Sequence, residues 1–484
     1  MNALLAILAL VLSLGVSYLF PEVGGSAVIL CAVCSVIAAI FIGRSAPNAR
    51  FLLQIFVAGV LVRMALGSAI YFMHLQEFFG GDAFTYDGVG WMLVKVWKGQ
   101  VSSAYYDTVI GPFIARNWGM PYLVAFIYAV VGRNLLAVQF FNAVVGAATA
   151  PIIFFCALHI FQNLRVAKLA AFAVAFYPSI VLWSSQGLKD GPVVFLLALA
   201  MLATLKLGER ISPKYLVVLV LSMFCLISLR FYLFYMVAAA VGGAFVIGMR
   251  PITSQSLARQ LVIIVALGLG LTYMGVLRTA GAQFETYGSL EAVQRTRADL
   301  AQSAKSGFGQ DVDVSTTGGA LTTIPLGFVY LMFAPFPWQL ANLRQSITLP
   351  EMIVWWCSFP LLVTGIWFTV RHRFRQSLPI LIFTSMLTLA YSIFQGNVGT
   401  AYRQRSQLLI FYFIFVAVGA IILQERREER QMRSAREKQA LFEAASRARA
   451  ERAAAARERY DRWKRERGQE LERMADHLSE RDDN

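Results

Sequence analysis

Charge is what this sequence has least of. Only 15% of its 484 residues are Asp, Glu, Lys or Arg, 58% are hydrophobic, and the mean hydropathy is +0.60. An ordinary soluble domain carries about 25% charge, so a soluble enzyme and a disordered chain are both excluded. Histidine and cysteine are sparse too. The four histidines (His74, His159, His372, His477) are scattered and suggest no ligand cluster. All five cysteines sit in apolar runs, and the C-x-x-C of Cys31 and Cys34 lacks the second pair that zinc chemistry needs, so small-residue packing is the better reading. No internal repeat is visible. The first apolar run, Asn2 to Phe20, has no basic segment before it and is followed at once by another, which reads as a retained span rather than a cleaved signal.

The charge that is present is unevenly placed. Residues 425–484 hold 17 Lys/Arg and 15 Asp/Glu, leaving 26 basic and 13 acidic residues for the first 424. The expected organisation is therefore a membrane body, 1–424, and a charged tail, 425–484. The tail's mixed-sign, Ala-rich sequence favours a solvated helix with i,i+4 ion pairs; coiled-coil pairing and a cytoplasmic partner are open. In the body, Lys and Arg stand singly or in pairs between apolar runs. That is the pattern of loop anchors facing the cytoplasm and membrane lipids, not a nucleic-acid footprint.

A span needs about 20 mostly apolar residues. Twelve stretches qualify: 2–20, 25–43, 51–72, 134–160, 166–183, 188–207, 213–228, 231–248, 260–277, 351–370, 377–394 and 406–424. Two more, 119–132 and 321–340, are shorter or broken by prolines. If neither of these crosses, Arg44 and Arg50, Arg165 and Lys168, Lys206 with Arg210 and Lys214, Arg250 and Arg259, Arg371 with Arg373 and Arg375, and the tail share one side. The positive-inside rule thus predicts an all-α polytopic bundle of about twelve spans, with both termini cytoplasmic. The outer face then carries two large loops, 73–133 and 278–350, and chemistry is to be sought there.

In the first outer loop, FFGGDAFTYDGVGWMLVKVWKGQ, a Gly-Gly turn delivers Asp82 just past the third span. An interfacial amphipathic helix follows, with Val89, Met92, Leu93, Val96 and Trp97 as its apolar face. Asp82 either meets a hydrophilic substrate there or caps that helix. Further on, Pro178 breaks a span near its outer end and Lys189-Asp190 opens the next helix. Arg230, Arg403 and Arg405 run against the positive-inside trend, and guanidinium groups at an outer interface suit bidentate phosphate binding. Arg63 lies mid-span, where a charge costs about 2.5–3.5 kcal/mol on insertion scales and so requires a partner or a wet cavity. Asp311 and Asp313 form a D-x-D that could pair on a metal ion.

The order of these features resembles the GT-C superfamily of membrane glycosyltransferases, near its protein O-mannosyltransferase and aminoarabinose-transferase branch. It is carried by Asp82-x-x-x-Tyr86, the helix ending Trp-Lys-Gly, Gly-Met-Pro-Tyr from Gly119, VQFFNAVVGAATAPIIFFCALHIF, and YPSIVLWSSQGLKDGPVVFLLALAM. The match runs from about Gly80 to Leu207, with a weaker echo from Tyr402 to Phe413. The chain departs from the pattern in three ways: two spans precede the one carrying the acidic loop; Asp82-Ala83, with Asp87 five residues on, replaces the usual acidic pair; and a charged tail stands where a large C-terminal soluble domain is expected.

The resemblance implies transfer of a sugar from a polyprenyl-phosphate donor to a hydroxyl of a glycan, lipid or protein acceptor. The setting implied is the outer face of a bacterial cytoplasmic membrane. It assigns Asp82 and Asp190 to catalysis, with Asp82 as the general base, and Asp87, Tyr86, Lys189, Arg230, Arg403 and Arg405 to substrate binding. Dependence on a divalent metal ion stays open, since members differ. Two rival readings are an O-antigen-type polymerase or ligase, and a transporter or flippase for a lipid-linked substrate.

Overall fold

The computed structural model describes residues 3–44, 48–105, 107–108, 111, 118–249, 254–302, 306–340 and 342–482. Arg250 and residues 303–305, which belong to the stretches read above, lie outside them. The described residues contain helices and no β-strand, as the all-α expectation requires. Two compact units are distinguished, Met1–Ala420 and Ile421–Asn484.

The first unit begins with α1 (Ala3–Leu19), α2 (Gly24–Gly43), α3 (Ala49–Phe72), α4 (Gln76–Gly80) and α5 (Asp82–Trp97). It continues through α6 (Gly119–Val131), α7 (Leu135–Phe161), α8 (Leu164–Phe176), α9 (Pro178–Ser184) and α10 (Asp190–Glu209). Next come α11 (Pro213–Leu229), α12 (Phe231–Ile247), α13 (Ser254–Tyr273), α14 (Val276–Tyr287) and α15 (Leu290–Gln302). Then come α16 (Thr317–Phe333), α17 (Leu343–His372), α18 (Phe374–Phe394) and α19 (Val398–Asp482), of which residues after Ala420 belong to the second unit.

Local chemistry sets the boundaries. Asn134, Asn163, Thr316 and Asn342 each accept a backbone N–H from the first turn of the helix they precede. Pro178 has no N–H with which to continue α8, and the chain bends 53° between α8 and α9. The expected span 260–277 is corrected: α13 stops at Tyr273, Gly275 takes φ +70°, and α14 leaves at 81° to α13. The left-handed conformation at Gly275 carries no side-chain penalty, so the chain can turn there.

Among the described residues seven helices are long and apolar enough to cross a membrane, or nine if each bent pair counts once, and the protein is an integral multi-pass membrane protein. Five shorter apolar helices stand beside them: α1, α6, α11, α12 and α16. The expected twelve takes α1, α11 and α12 as spans and leaves out α6 and α16. At 13 residues α6 reaches only about 20 Å, short of a hydrocarbon core of roughly 30 Å.

Helix α7 is the hub, packed against α2, α3, α8 and α10. Most of its side chains are buried, from Leu136 to Phe161, so it is apolar all round. Where α17 crosses α19, Gly365 and Gly419 let the backbones touch: an added Cβ would lie 1.8 Å from the Phe415 carbonyl oxygen and 2.1 Å from that of Leu361. On the outside, Ile7, Leu14, Ile29, Leu261 and Leu269 are exposed, as acyl-chain contact demands.

The amphipathic helix α5 buries a different face from the one expected. Ala83, Asp87, Gly90, Leu93 and Val94 turn inward against α6, Val89, Met92 and Val96 are half-buried, and Trp97 is exposed. Gly90 decides the rotation, because a Cβ there would lie 2.6 Å from Val124. In the second unit the helix is charged and exposed, with Gln424 donating to Glu428 and Gln439 to Glu443 in i,i+4 pairs.

Candidate functional site

Four helix ends meet around Asp190. Asp190 opens α10, Arg230 sits at the break between α11 and α12, Arg403 lies in the second turn of α19, and Asp82 opens α5. Asp190 is 1% exposed and is gripped twice. Arg230 Nη2 donates to its Oδ1 at 2.9 Å, and Arg403 reaches its Oδ2 through Nε (2.8 Å) and Nη2 (2.6 Å). The remaining nitrogen of Arg403, Nη1, donates to Asp82 Oδ2 at 2.9 Å. Asp82 itself is half exposed, at 53%. One guanidinium therefore joins a buried carboxylate to an open one.

The surroundings reinforce the arrangement. Arg230 Nη1 donates to the Tyr232 hydroxyl at 2.7 Å; that hydroxyl lies 3.3 Å from the Tyr391 hydroxyl, which in turn donates to Gln407. Arg403 lies over the Trp183 ring, 5.6 Å from its centroid. Tyr86 follows Asp82 by one helical turn, and its hydroxyl is held well above the ordinary phenol range by burial and by the Asp82 carboxylate. Lys189, between α9 and α10, is pushed down to about 7, first by burial and then by the Arg230 charge.

Trp183 and Arg403 form part of the wall of a cavity of about 550 Å³. Phe78, Phe79, Leu182 and Val398 supply apolar surface, while Asn342, Arg344 and Asn397 supply donors. An apolar chamber with a few convergent polar groups is the ordinary form of a small-molecule site.

What holds Asp190 in place is a set of neutral polar contacts within the bundle. Asn142, two turns into α7, donates from Nδ2 to the carbonyls of both Gln186 and Leu188 at 2.7 Å, fixing the loop that delivers Lys189 and Asp190. Arg63, fully buried, donates through Nε to Ser184 Oγ (2.7 Å) and through Nη1 to the carbonyls of Ala175 (2.8 Å) and Gly59 (3.1 Å). In an unbroken helix the Ala175 carbonyl would accept from residue 179; at the Pro178 bend Arg63 takes it. The mid-span arginine thus staples both sides of the bend.

Six of the eight sequence-derived site residues come together here: Asp82, Tyr86, Lys189, Asp190, Arg230 and Arg403. Asp87 and Arg405 do not. Asp87 receives Arg133 Nε at 3.2 Å and the Tyr128 hydroxyl at 2.6 Å, tying α5 to α6. Arg405 is buried and donates to the carbonyls of Leu331 (2.6 Å) and Ala334, with Met352 alongside. Two residues apart on a helix, Arg403 and Arg405 face nearly opposite ways.

The site also contains residues the sequence reading missed: Asn142, Tyr232, Tyr391 and Gln407. For Asn142 a signal existed, since an amide inside an apolar span is costly unless it holds something.

Among the described residues no group of three or more His, Cys, Asp or Glu is placed to hold a metal ion. The donor set argues the same way: both carboxylates at the site face guanidinium groups, which would repel a cation. Asp313 of the D-x-D accepts the Ser315 N–H at 2.8 Å, which holds its carboxyl below the ordinary range, and so closes a local turn.

Residues 117–274, about a third of the chain, match the family model for dolichyl-phosphate-mannose-protein mannosyltransferases, a family of the GT-C group, which supports a glycosyltransferase of that type. Asp190 and Arg230 fall inside the matched segment, and Asp82 and Arg403 outside it. No curated protein matches the chain.

Proposed function

We propose that the protein transfers a sugar from a polyprenyl phosphate to an acceptor hydroxyl on the extracytoplasmic face, inverting the anomeric carbon. The observation that carries this reading is the sharing of Arg403 between buried Asp190 and open Asp82 at the wall of the cavity. The cavity would take the donor, with its phosphate toward Arg403 and its prenyl chain leaving between spans. Asp190 has the part of a holder: it fixes both guanidinium groups and has no exposed surface from which to meet an acceptor.

Donor phosphate competes with Asp82 for Arg403, so its arrival frees the Asp82 carboxylate to act as a base. The acceptor oxygen then attacks the anomeric carbon while Asp82 takes its proton. The bond from that carbon to the phosphate oxygen breaks, and the phosphate keeps the electron pair. Its growing charge is met by Arg403 and by the charged form of Lys189. Glycan, lipid and protein acceptors all satisfy this chemistry.

The test is transfer of label from polyprenyl-phosphate mannose, in vesicles containing the purified protein, to added alcohol and glycan acceptors. Asp82→Asn is expected to lower the rate by about 10²–10⁴, the usual range for a lost general base. Full activity in Asp82→Asn would overturn the mechanism and favour the polymerase or ligase reading, in which Asp82 is dispensable. Reporter fusions at positions 125 and 163 check the orientation, with 163 expected in the cytoplasm.

A further inference from the structure

A second cavity, of about 510 Å³, lies far from the first. It includes Glu209, the last residue of α10, whereas Asp190 is the first. Nineteen residues at 1.5 Å rise separate the two by about 28 Å, close to the thickness of a bilayer core.

The cavity is assembled from the ends of candidate spans. His159 closes α7 and Glu209 closes α10, while Arg371, His372 and Arg375 stand where α17 turns into α18. Four spans ending together mark the headgroup plane of one leaflet. Arg371 and Arg375 are exposed, while buried Leu205 and Met249 give the cavity apolar depth. Its one carboxylate, Glu209, already has Lys206 at 3.3 Å and His159 at 3.6 Å.

Exposed guanidinium groups beside apolar depth at the headgroup plane match a phosphate attached to a hydrocarbon chain. We propose that this cavity binds a phosphate anion at the membrane surface, and that its natural source is an anionic glycerophospholipid. Three helix carboxyl-terminal ends and the start of α18 meet here, so the dipoles on balance oppose an anion and recognition falls chiefly to the two guanidinium groups. The proposal does not depend on the sugar-transfer reading, and either can fail alone.

The experiment is native mass spectrometry of the full chain released from mixed phosphatidylglycerol and phosphatidylcholine nanodiscs. Wild-type protein is expected to retain phosphatidylglycerol on the order of tenfold over phosphatidylcholine, and Arg371→Gln with Arg375→Gln to abolish that preference. Arg165→Gln with Lys168→Gln, at the same membrane end but off the cavity wall, separates a site from general surface charge and is expected to keep the preference. Millimolar inorganic phosphate added to phosphatidylcholine-only samples tests the other source: displacement of bound lipid by free phosphate would show that the headgroup alone is read. Equal retention of the two lipids, or equal loss in both variant pairs, overturns the proposal.

Discussion

Asp82 and Asp190 are both carboxylates bound to Arg403, yet replacing each by asparagine should have opposite consequences. Asp190 is 1% exposed and is the shared counter-charge of Arg230 and Arg403, themselves 7% and 16% exposed. Asp190→Asn leaves two sequestered guanidinium groups without compensation, a defect worth about 3–5 kcal/mol. Asp82 is 53% exposed, so its single pair with Arg403 contributes about 0–1 kcal/mol. In size-exclusion thermostability measurements in detergent, Asp190→Asn should lower the apparent Tm by roughly 5–10 °C, extrapolating from the 2–4 °C per kcal/mol of smaller domains. Asp82→Asn should stay within about 2 °C of wild type on the same scale while losing transfer. Adding Arg230→Gln to Asp190→Asn removes one stranded charge and should recover part of the lost stability. Equal Tm values for the two single variants, or no recovery in the double, would refute the division of labour between an inner holder and an outer reactant.

Lys189, pushed down to about 7, is charged below that pH and neutral above it. If its charge steadies the departing phosphate, transfer should decline as pH rises through about 7, and Lys189→Arg should move the decline to higher pH; a pH–rate profile of both proteins decides this. Arg403→Lys cannot bridge two carboxylates with one planar fork, so its transfer rate should fall by at least tenfold with little change in expression, as labelled-donor assays would register. Arg63→Gln deprives the Ala175 carbonyl and Ser184 of their shared donor, and an unsatisfied buried polar group costs about 1–3 kcal/mol. It should lower the apparent Tm and perturb the fluorine NMR signal of 5-fluorotryptophan at Trp183, assigned with Trp183→Phe, while the signal of Trp463 in the tail stays put.

The apolar runs were legible because a membrane span is a long compositional signal, and the helices α2, α3, α7, α10 and α18 follow them closely, whereas α17 begins at Leu343, eight residues before the expected start at 351. Position rather than scarcity marked the site: twelve of the thirteen acidic residues before the tail fall on the expected outer face, but Asp82 and Asp190 stand at helix starts beside apolar spans, and Arg230 and Arg403 stand at short outer turns against the positive-inside trend. Rotation about a helix axis was not legible. Arg405 differs from Arg403 by two positions and ends up among the carbonyls of α16, and Asp87, five residues past Asp82 and so about 140° round α5, pairs with α6 instead of the cluster. Gly90 set that rotation, and its effect depends on Val124, which periodicity alone cannot locate.

The same limit explains Arg63. Sequence reasoning demanded a partner or a wet cavity for a mid-span guanidinium but could not name the partner, because it priced the charge and not the backbone around it. A proline-broken helix exposes carbonyls within the membrane, where no water is at hand to satisfy them. Arginine, with five donors in a fixed fork, can serve several such carbonyls at once. Arg63 and Pro178 are therefore one device written in two distant places of the chain: the break frees the Ala175 carbonyl, and the arginine from α3 takes it while also holding the Ser184 hydroxyl beyond the bend. The bend that results carries Trp183 to the cavity wall and starts the loop that Asn142 fixes ahead of Asp190. A polar residue in an apolar span is thus best interrogated by looking for a nearby helix breaker as well as for an opposite charge.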